Sequence, residues 1–216
     1  MRIAAIIPVG PGHIWVHDDC ADSVKLAAKR ISDIELDCKP YPDHEGKLGR
    51  SRARNLAIEA SPEADWYFLI DADDLCCIDA FELFRASLAA NPRLVAVFGA
   101  INSDRMISEM LTRDNVFPLD WAGIMERGAK GTLAMGCFIR ADVARATPFN
   151  EEMDIAEDFD FYLRALHRRE WAKIDMPLVT IRHNVPSAGG PRGLATIGWR
   201  EACGAVVERY RSELAG

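Results

Sequence analysis

The chain alternates between short unbroken apolar runs and longer stretches in which apolar residues return every three or four positions, the two patterns that separate buried strands from helices. Ile3 to Val9 is the first run, closed by Pro8-Val9-Gly10-Pro11-Gly12, and reads as a buried parallel strand ending in a tight loop. A helix capped by Asp18 or Asp19 should reach Ile31, with Ala21, Val24, Ala28 and Ile31 on its inner face. Ile34 to Tyr41 alternates as a second strand until Pro40 and Pro42 break it. Ser51 to Ala60 is helical, with Leu56 and Ala60 on one stripe, and Ser61-Pro62 stops it. Trp66 to Ile70 is a third strand. A helix from Ile78 to Ala90, carrying Phe81, Leu83, Phe84 and Leu88, follows it, ends at Asn91-Pro92, and leads into a strand from Leu94 to Ile101.

Strands alternating with helices predict an α/β chain whose sheet is parallel with crossover helices. From Asn102 to Lys130 the pattern weakens into mixed charge with isolated Met, Trp and Phe, as in substrate-facing loops. Regularity then returns. A strand is expected over Thr132 to Arg140, and a helix over Glu157 to Arg168 with Phe159, Leu163 and Leu166 inward. A last strand covers Trp171 to Ile181, Gly189 to Gly193 form a turn, and Trp199 to Leu214 a closing helix.

Length and composition narrow the class. At 216 residues, 49% hydrophobic and 27% charged, the chain fits one folded domain, 1–216, and excludes disordered and fibrous classes. No apolar stretch approaches the roughly 20 residues that cross a bilayer. The apolar start is too short, and too promptly ended by Pro8, for a secretory leader, so a cytoplasmic protein is expected. Six cysteines are scattered without C-x-x-C spacing and read as free buried thiols. A net charge of −7 argues against strong nonspecific binding to nucleic acid or anionic membranes.

The chemistry concentrates where Asp71-Ala72-Asp73-Asp74 follows the strand Trp66 to Ile70, placing three carboxylates in four residues at a strand's carboxyl end. Crowded carboxylates need a cation or donors, and ligands of open α/β sheets bind at that end. A divalent cation carrying phosphate oxygens would satisfy them. The ordinary alternative is an Asp-rich turn capping the next helix. Glu157-Asp158 is a second acidic site. Asp154 to Glu157 fits a capping box, which would account for Glu157 but leaves Asp158 available as a general base. His183, after the last strand, could join Asp73 on a metal, or be an ordinary surface histidine. His13 and His17 read as loop residues lining a pocket. Arg50, Arg52 and Arg54 surround a helix start, where the macrodipole disfavours cations, so a diphosphate there would repair the mismatch; a solvated basic face is the alternative. No P-loop or dinucleotide fingerprint occurs, which removes support for nucleotide triphosphatases and dehydrogenases.

The order of these parts resembles family 2 glycosyltransferases of the GT-A fold: Ile6-Ile7-Pro8-Val9, then Gly49 to Ala60, then Trp66 to Leu75, then Gly136 to Arg140, then Glu157 to Arg164. The resemblance implies a mixed, mostly parallel central sheet flanked by helices, with residues 1–101 binding the nucleotide sugar and 102–216 the acceptor. It implies a D-x-D motif, Asp71-Ala72-Asp73, with Asp71 on the ribose and Asp73 on Mn²⁺ or Mg²⁺, completed by His183. Asp158 is similar to the family's catalytic base, with Glu157 beside it. Pro8 and Val9 would meet the nucleobase, and Arg50 and Arg54 the base or diphosphate. Where the family has an Asp-Asp-Gly-Ser-type turn this chain has Pro40-Tyr41-Pro42-Asp43-His44, so Asp43 would take over and a UDP-sugar is the preferred donor. The implied activity is metal-dependent, inverting transfer of a sugar from a nucleotide diphosphate to an acceptor hydroxyl. A soluble small acceptor, a lipid-linked sugar or a modified DNA base all fit. The alternatives are a nucleotidyltransferase and a noncatalytic sugar-nucleotide-binding module.

Overall fold

The computed structural model describes residues 1–103, 123–125, 133, 135–182 and 197–215. Their strands are β1 (Arg2–Ile6), β2 (Pro8–Val9), β3 (Glu35–Cys38), β4 (Tyr41–Pro42), β5 (Trp66–Leu69), β6 (Leu75–Cys76), β7 (Ala96–Ser103), β8 (Cys137–Arg140) and β9 (Trp171–Ile181). The helices are α1 (His17–Ala28), α2 (Gly49–Glu59), α3 (Ala80–Ala90), α4 (Ala141–Ala146), α5 (Glu157–Leu166) and α6 (Ile197–Ala215), with a 3-10 turn at Pro11–His13.

A seven-stranded sheet has the order β3-β1-β5-β8-β7-β9-β6, and β2 pairs with β4 in a separate parallel ribbon. β1 runs parallel to β3 and β5, and β7 parallel to β9, while β8 and β6 run antiparallel to their neighbours. The sheet is therefore mixed, as the family likeness implies. Leu69 and Leu75 lie on strands four places apart in this order. At about 4.8 Å per strand that is ~19 Å, nearly the full reach of a six-residue step. The step also contains a turn, Asp74 N–H to Asp71 O, so the sheet must curl to let β6 meet β9.

Both faces of the sheet are covered, which explains why its central strands are apolar without alternation. Tyr67, Leu69, Cys137 and Ile139 enter the core shared with α2, α4, α5 and α6. Trp66, Phe68 and Phe138 enter the one shared with α1 and α3. There Phe138 stacks on Phe68 and Phe84, with ring centroids 4.4 and 4.1 Å apart. Each such buried ring contributes on the order of 2–3 kcal/mol. The described residues contain no helix long and apolar enough to cross a membrane.

Gly136 leads into β8 at φ +95°, its N–H on Leu69 O, and a Cβ there would stand 2.3 Å from Val179 Cγ2. Gly136→Ala must therefore both strain the backbone and overpack β9, costing about 3 kcal/mol or more. A drop in the urea midpoint without a change in slope is the expected signature.

Candidate active site at the carboxyl end of β5

β5 delivers Ile70 to the core and then turns at Asp71. Helix α1 backs this turn: Cys20 Sγ donates to Asp71 O at 3.4 Å and Ser23 Oγ accepts Cys76 N–H at 2.9 Å. Ala72 is fully buried, so Asp71 and Asp73 flank a residue that anchors them. Asp74 accepts Arg182 N–H at 3.3 Å. Burial, with repulsion from Asp71 and Asp73, pushes the Asp74 carboxyl up to about 9 against the pull of Arg182.

Arg182, absent from the sequence-based candidates, ties this turn to α1. Its Nε donates to Asp73 O at 2.6 Å, and its two terminal nitrogens reach Asp19 at 3.1 Å and Val16 O at 3.2 Å. Asp73 is buried, and its Oδ2 stands 3.6 Å from His13 Nε2. No periodicity marks Arg182 as special, because what matters is its position one residue past β9.

The second acidic pair meets the first through Arg54. From within α2 its guanidinium donates at 2.8 Å to Asp71 Oδ1 and at 2.8 Å to Glu157 Oε1. Burial opposes its charge, but Asp71, Glu157 and Asp158 outweigh it and hold the Arg54 pKa above its ordinary value. The Phe149 ring lies 5.3 Å from the guanidinium. Asn55 fixes that ring's backbone by donating to Phe149 O at 3.0 Å and accepting Phe149 N–H at 2.8 Å. Arg50, one turn earlier on α2, stands 3.6 Å from the same Glu157 oxygen.

Glu157 is the first residue of α5, and Ala156 before it takes the left-handed conformation at φ 61°. The capping box expected from Asp154 therefore does not form. Glu157 is bonded to Arg54, and the αL alanine is a strained position of the kind that gathers at functional sites. Asp158 Oδ1 accepts Phe159 N–H at 2.8 Å. Burial and the neighbouring Glu157 push its carboxyl up to about 6, with Arg54 pulling the other way.

On the other flank β2 and β4 pair Pro8 with Tyr41 and Val9 with Pro42, and Asp43 N–H continues the ladder to Val9 O at 2.8 Å. The Asp43 carboxylate accepts Leu48 N–H and Gly49 N–H, each at 3.2 Å, at the start of α2. Pro8, Val9 and Asp43 thus form one ledge, as sequence order alone could not show. His183, expected as a metal ligand, and the expected acceptor loop and Gly189–Gly193 turn lie outside the described residues, except for 102–103 and 123–125.

An open cavity of about 560 Å³ lies beyond Phe149, lined among others by Asn55, Asp160, Arg164 and Arg209. None of the sequence-predicted site residues lines it. Arg164 and Arg209 both bond Asp160, which fastens α6 to α5.

The sequence matches the model of the family described as glycosyl transferase family 2 over residues 10–149. No curated protein matches it. Among solved structures, S. aureus TarS 1–349 superposes with a TM-score of 0.61 at 14% identity, covering 85% of this chain and 61% of that one. The same TarS fragment in complex with UDP-GlcNAc gives 0.58 at 13% identity, over 84% of this chain and 58% of that one. Mannosyl-3-phosphoglycerate synthase from Rubrobacter xylanophilus gives 0.58 at 16% identity, over 99% and 75%. This chain thus spans about three fifths of the TarS fragment's length. Likeness at such identities is likeness of fold. The family model, by contrast, covers well over half of the residues, including the β5 turn and α2 arginines just described: the chain belongs to glycosyl transferase family 2.

Proposed function

We propose that this chain transfers a sugar from a nucleotide diphosphate donor, with a UDP-sugar preferred, to an acceptor hydroxyl by a metal-dependent, inverting single displacement. The observation that carries this reading is the convergence of Asp71, Arg54, Glu157 and Asp158, from three separate elements, at the carboxyl end of β5. The complexes of TarS with UDP and UDP-GlcNAc support the donor class.

The donor set fits a hard divalent cation. Asp71, Asp73 and Asp74 crowd one turn, and burial, with repulsion from the other two, keeps the Asp74 carboxyl high. Among the described residues no three His, Cys, Asp or Glu side chains gather closely enough to hold an ion unaided. An ion of the Mg²⁺ or Mn²⁺ type binds through one or two carboxylates and completes its shell with phosphate oxygens. Asp73 would hold it together with His183, and the ion would offset the charge developing on the departing diphosphate.

The chain's own groups do the rest. Pro8, Val9 and Asp43 form the ledge for the nucleobase, and Asp71, fixed by Arg54, accepts a ribose hydroxyl. Asp158 takes the acceptor's proton as its oxygen attacks the anomeric carbon and the bond to the diphosphate breaks. Glu157, neutralised by Arg54 and Arg50, keeps Arg54 in place. Arg50, half-exposed and 3.6 Å from Glu157, is placed to turn toward the diphosphate.

A thermal-shift screen of sugar nucleotides with and without Mn²⁺ tests this. A donor at one hundred times its Kd stabilises the fold by about 2.7 kcal/mol, or roughly 5–10 °C for a chain of this size. Asp73→Ala should lose the Mn²⁺-dependent part of that shift. Turnover must release a nucleoside diphosphate; pyrophosphate would identify a nucleotidyltransferase, and no response to any sugar nucleotide would refute the reading.

A further inference from the structure

Asp160 is one carboxylate shared by two guanidiniums. Fully buried on α5, it is bonded by Arg164 from the next turn of the same helix and by Arg209 from α6. Arg164 Nε donates to Asp160 Oδ2 at 2.8 Å, but its Nη2, buried beside that oxygen, has no hydrogen-bond partner among the described residues. Arg209 gives Nη2 to Asp160 Oδ1, and its side chain is otherwise half-exposed. Burial holds the Arg164 pKa below its ordinary value, as befits a cation that a shared carboxylate does not fully compensate.

Both arginines line the cavity of about 560 Å³ beyond Phe149. Glu151 lines it too but is engaged elsewhere, with Arg52 Nη1 3.2 Å and Asn55 Nδ2 2.8 Å from its Oε1. Three guanidiniums therefore meet two carboxylates around one cavity. At the β5 turn the balance is the reverse, since there Arg54 is shared by Asp71 and Glu157. Pro148, Phe149 and Tyr210 supply the apolar part of the wall. The volume falls within the roughly 300–1,000 Å³ of small-molecule pockets, well beyond what a bare oxyanion fills. The reacting groups lie on another side of α5, because residues two apart on a helix are about 200° apart around it. Asp160 faces the cavity, whereas Asp158 lies in the field of Arg54 and Asp71.

We infer that this cavity is a second ligand site, separate from the reactive centre, which binds a small phosphomonoester through Arg164 and Arg209. Held against the same carboxylate, the two guanidiniums are near enough to share a second anion. Each planar fork can offer parallel N–H groups to a pair of oxygens. A phosphoryl group has three such oxygens and serves both forks at once, whereas the two oxygens of a carboxylate are used up by one. The rest of the cavity holds the body that carries the phosphoryl group. The site stands whether or not a metal binds at Asp73.

Inorganic phosphate, titrated against melting temperature on the full chain at an ionic strength held constant with chloride, should raise Tm by about 3–6 °C at ten times its Kd. Arg209→Gln, which leaves Arg164 on Asp160, should raise that Kd by about 10-fold or more. Arg50→Gln, at the proposed diphosphate contact, should change it less than about 2-fold. A Kd sensitive to Arg50 and not to Arg209 would put the anion at the β5 turn, and one sensitive to neither would mean an adventitious ion only. An equal response to acetate would remove the preference for phosphate, and no response in the unaltered protein would remove the site; each of these results overturns the inference. Should Arg209→Gln fail to fold, a crystal of the unaltered protein soaked in selenate answers the same question. An anomalous selenium peak between Arg164 and Arg209 is expected, and peaks only elsewhere, or none, would overturn it.

Discussion

Asp158→Asn should remove sugar transfer by a factor of about 10²–10⁴, the usual contribution of a positioned general base, while making the protein more stable at neutral pH. Both effects come from one environment. The Asp158 carboxyl is pushed up to about 6 by burial and by Glu157, so near neutral pH it holds a charge the fold would rather shed. The unfolded chain loses this proton near pH 4, the folded chain near 6. Between those values the folded state holds more protons, so stability is greatest below pH 4, declines as pH rises to 6, and stays reduced above it. Asparagine keeps the oxygen that accepts Phe159 N–H and discards the charge. A gain of about 1–2 kcal/mol at pH 7.5, shrinking toward zero at pH 4, is expected in thermal unfolding. The rate of transfer by the unaltered protein should fall about tenfold per pH unit below 6, as the base is protonated. A variant that keeps near-normal turnover, or a rate flat from pH 7 to pH 5, would take the base role away from Asp158.

Arg54→Met should have the largest effect on stability. Removing a partner from a buried ion pair costs about 3–5 kcal/mol, because the charges left behind have no water. Arg54 bonds two carboxylates at 2.8 Å, the buried Glu157, to which this cost applies in full, and the part-exposed Asp71, which water can partly resolvate. Arg50, at 3.6 Å from Glu157 and half-exposed, cannot replace it. A fall of about 10 °C or more in Tm follows at pH 7.5. The mechanism has its own check: adding Glu157→Gln removes one stranded charge, so the double variant should be more stable than Arg54→Met alone. If the two losses simply add, the arginine acts through packing on Phe149, and the charge bridge is not what joins the two acidic sites.

Much of the scaffold could be read from the chain because both faces of the central strands are buried. Trp66 to Ile70 is apolar throughout since Tyr67 and Leu69 serve one core and Trp66 and Phe68 the other. Strand β9 occupies the span Trp171 to Ile181 expected of it, and α2 and α3 fall within two residues of their expected bounds. The elements that escaped are too short to show a period. β2, β4 and β6 have two residues each, and α4, an alanine-rich turn and a half, has no stripe of large apolar residues. The Ile3 to Val9 run accordingly splits into β1 and β2, letting Pro8 and Val9 leave the main sheet for Asp43.

At the site, sequence marks the residue types but not who meets whom. Arg54 and Glu157 are 103 positions apart, and nothing local in either predicts the bond between them. The arginines of α2 look from sequence like a mismatch with the helix dipole waiting for a phosphate; for Arg54 the compensating anions are carboxylates of the protein itself. Glu157 looks like a cap because its spacing from Asp154 is right, and only the left-handed Ala156 shows that the helix starts later. His13 and Arg182 carry no motif. Their places beside the acidic turn follow from the curl of the sheet, which brings the end of β9 and the loop after β2 together there.

The most direct test of a nucleotide-sugar site at this turn is a crystal structure of the chain with UDP and Mn²⁺, the ion located by its anomalous signal. Expected is a manganese peak beside the Asp73 carboxylate, the uracil on the Pro8, Val9 and Asp43 ledge, and the Asp158 carboxyl facing the open side of the diphosphate. Nucleotide bound on another surface, or manganese away from Asp73, would contradict it.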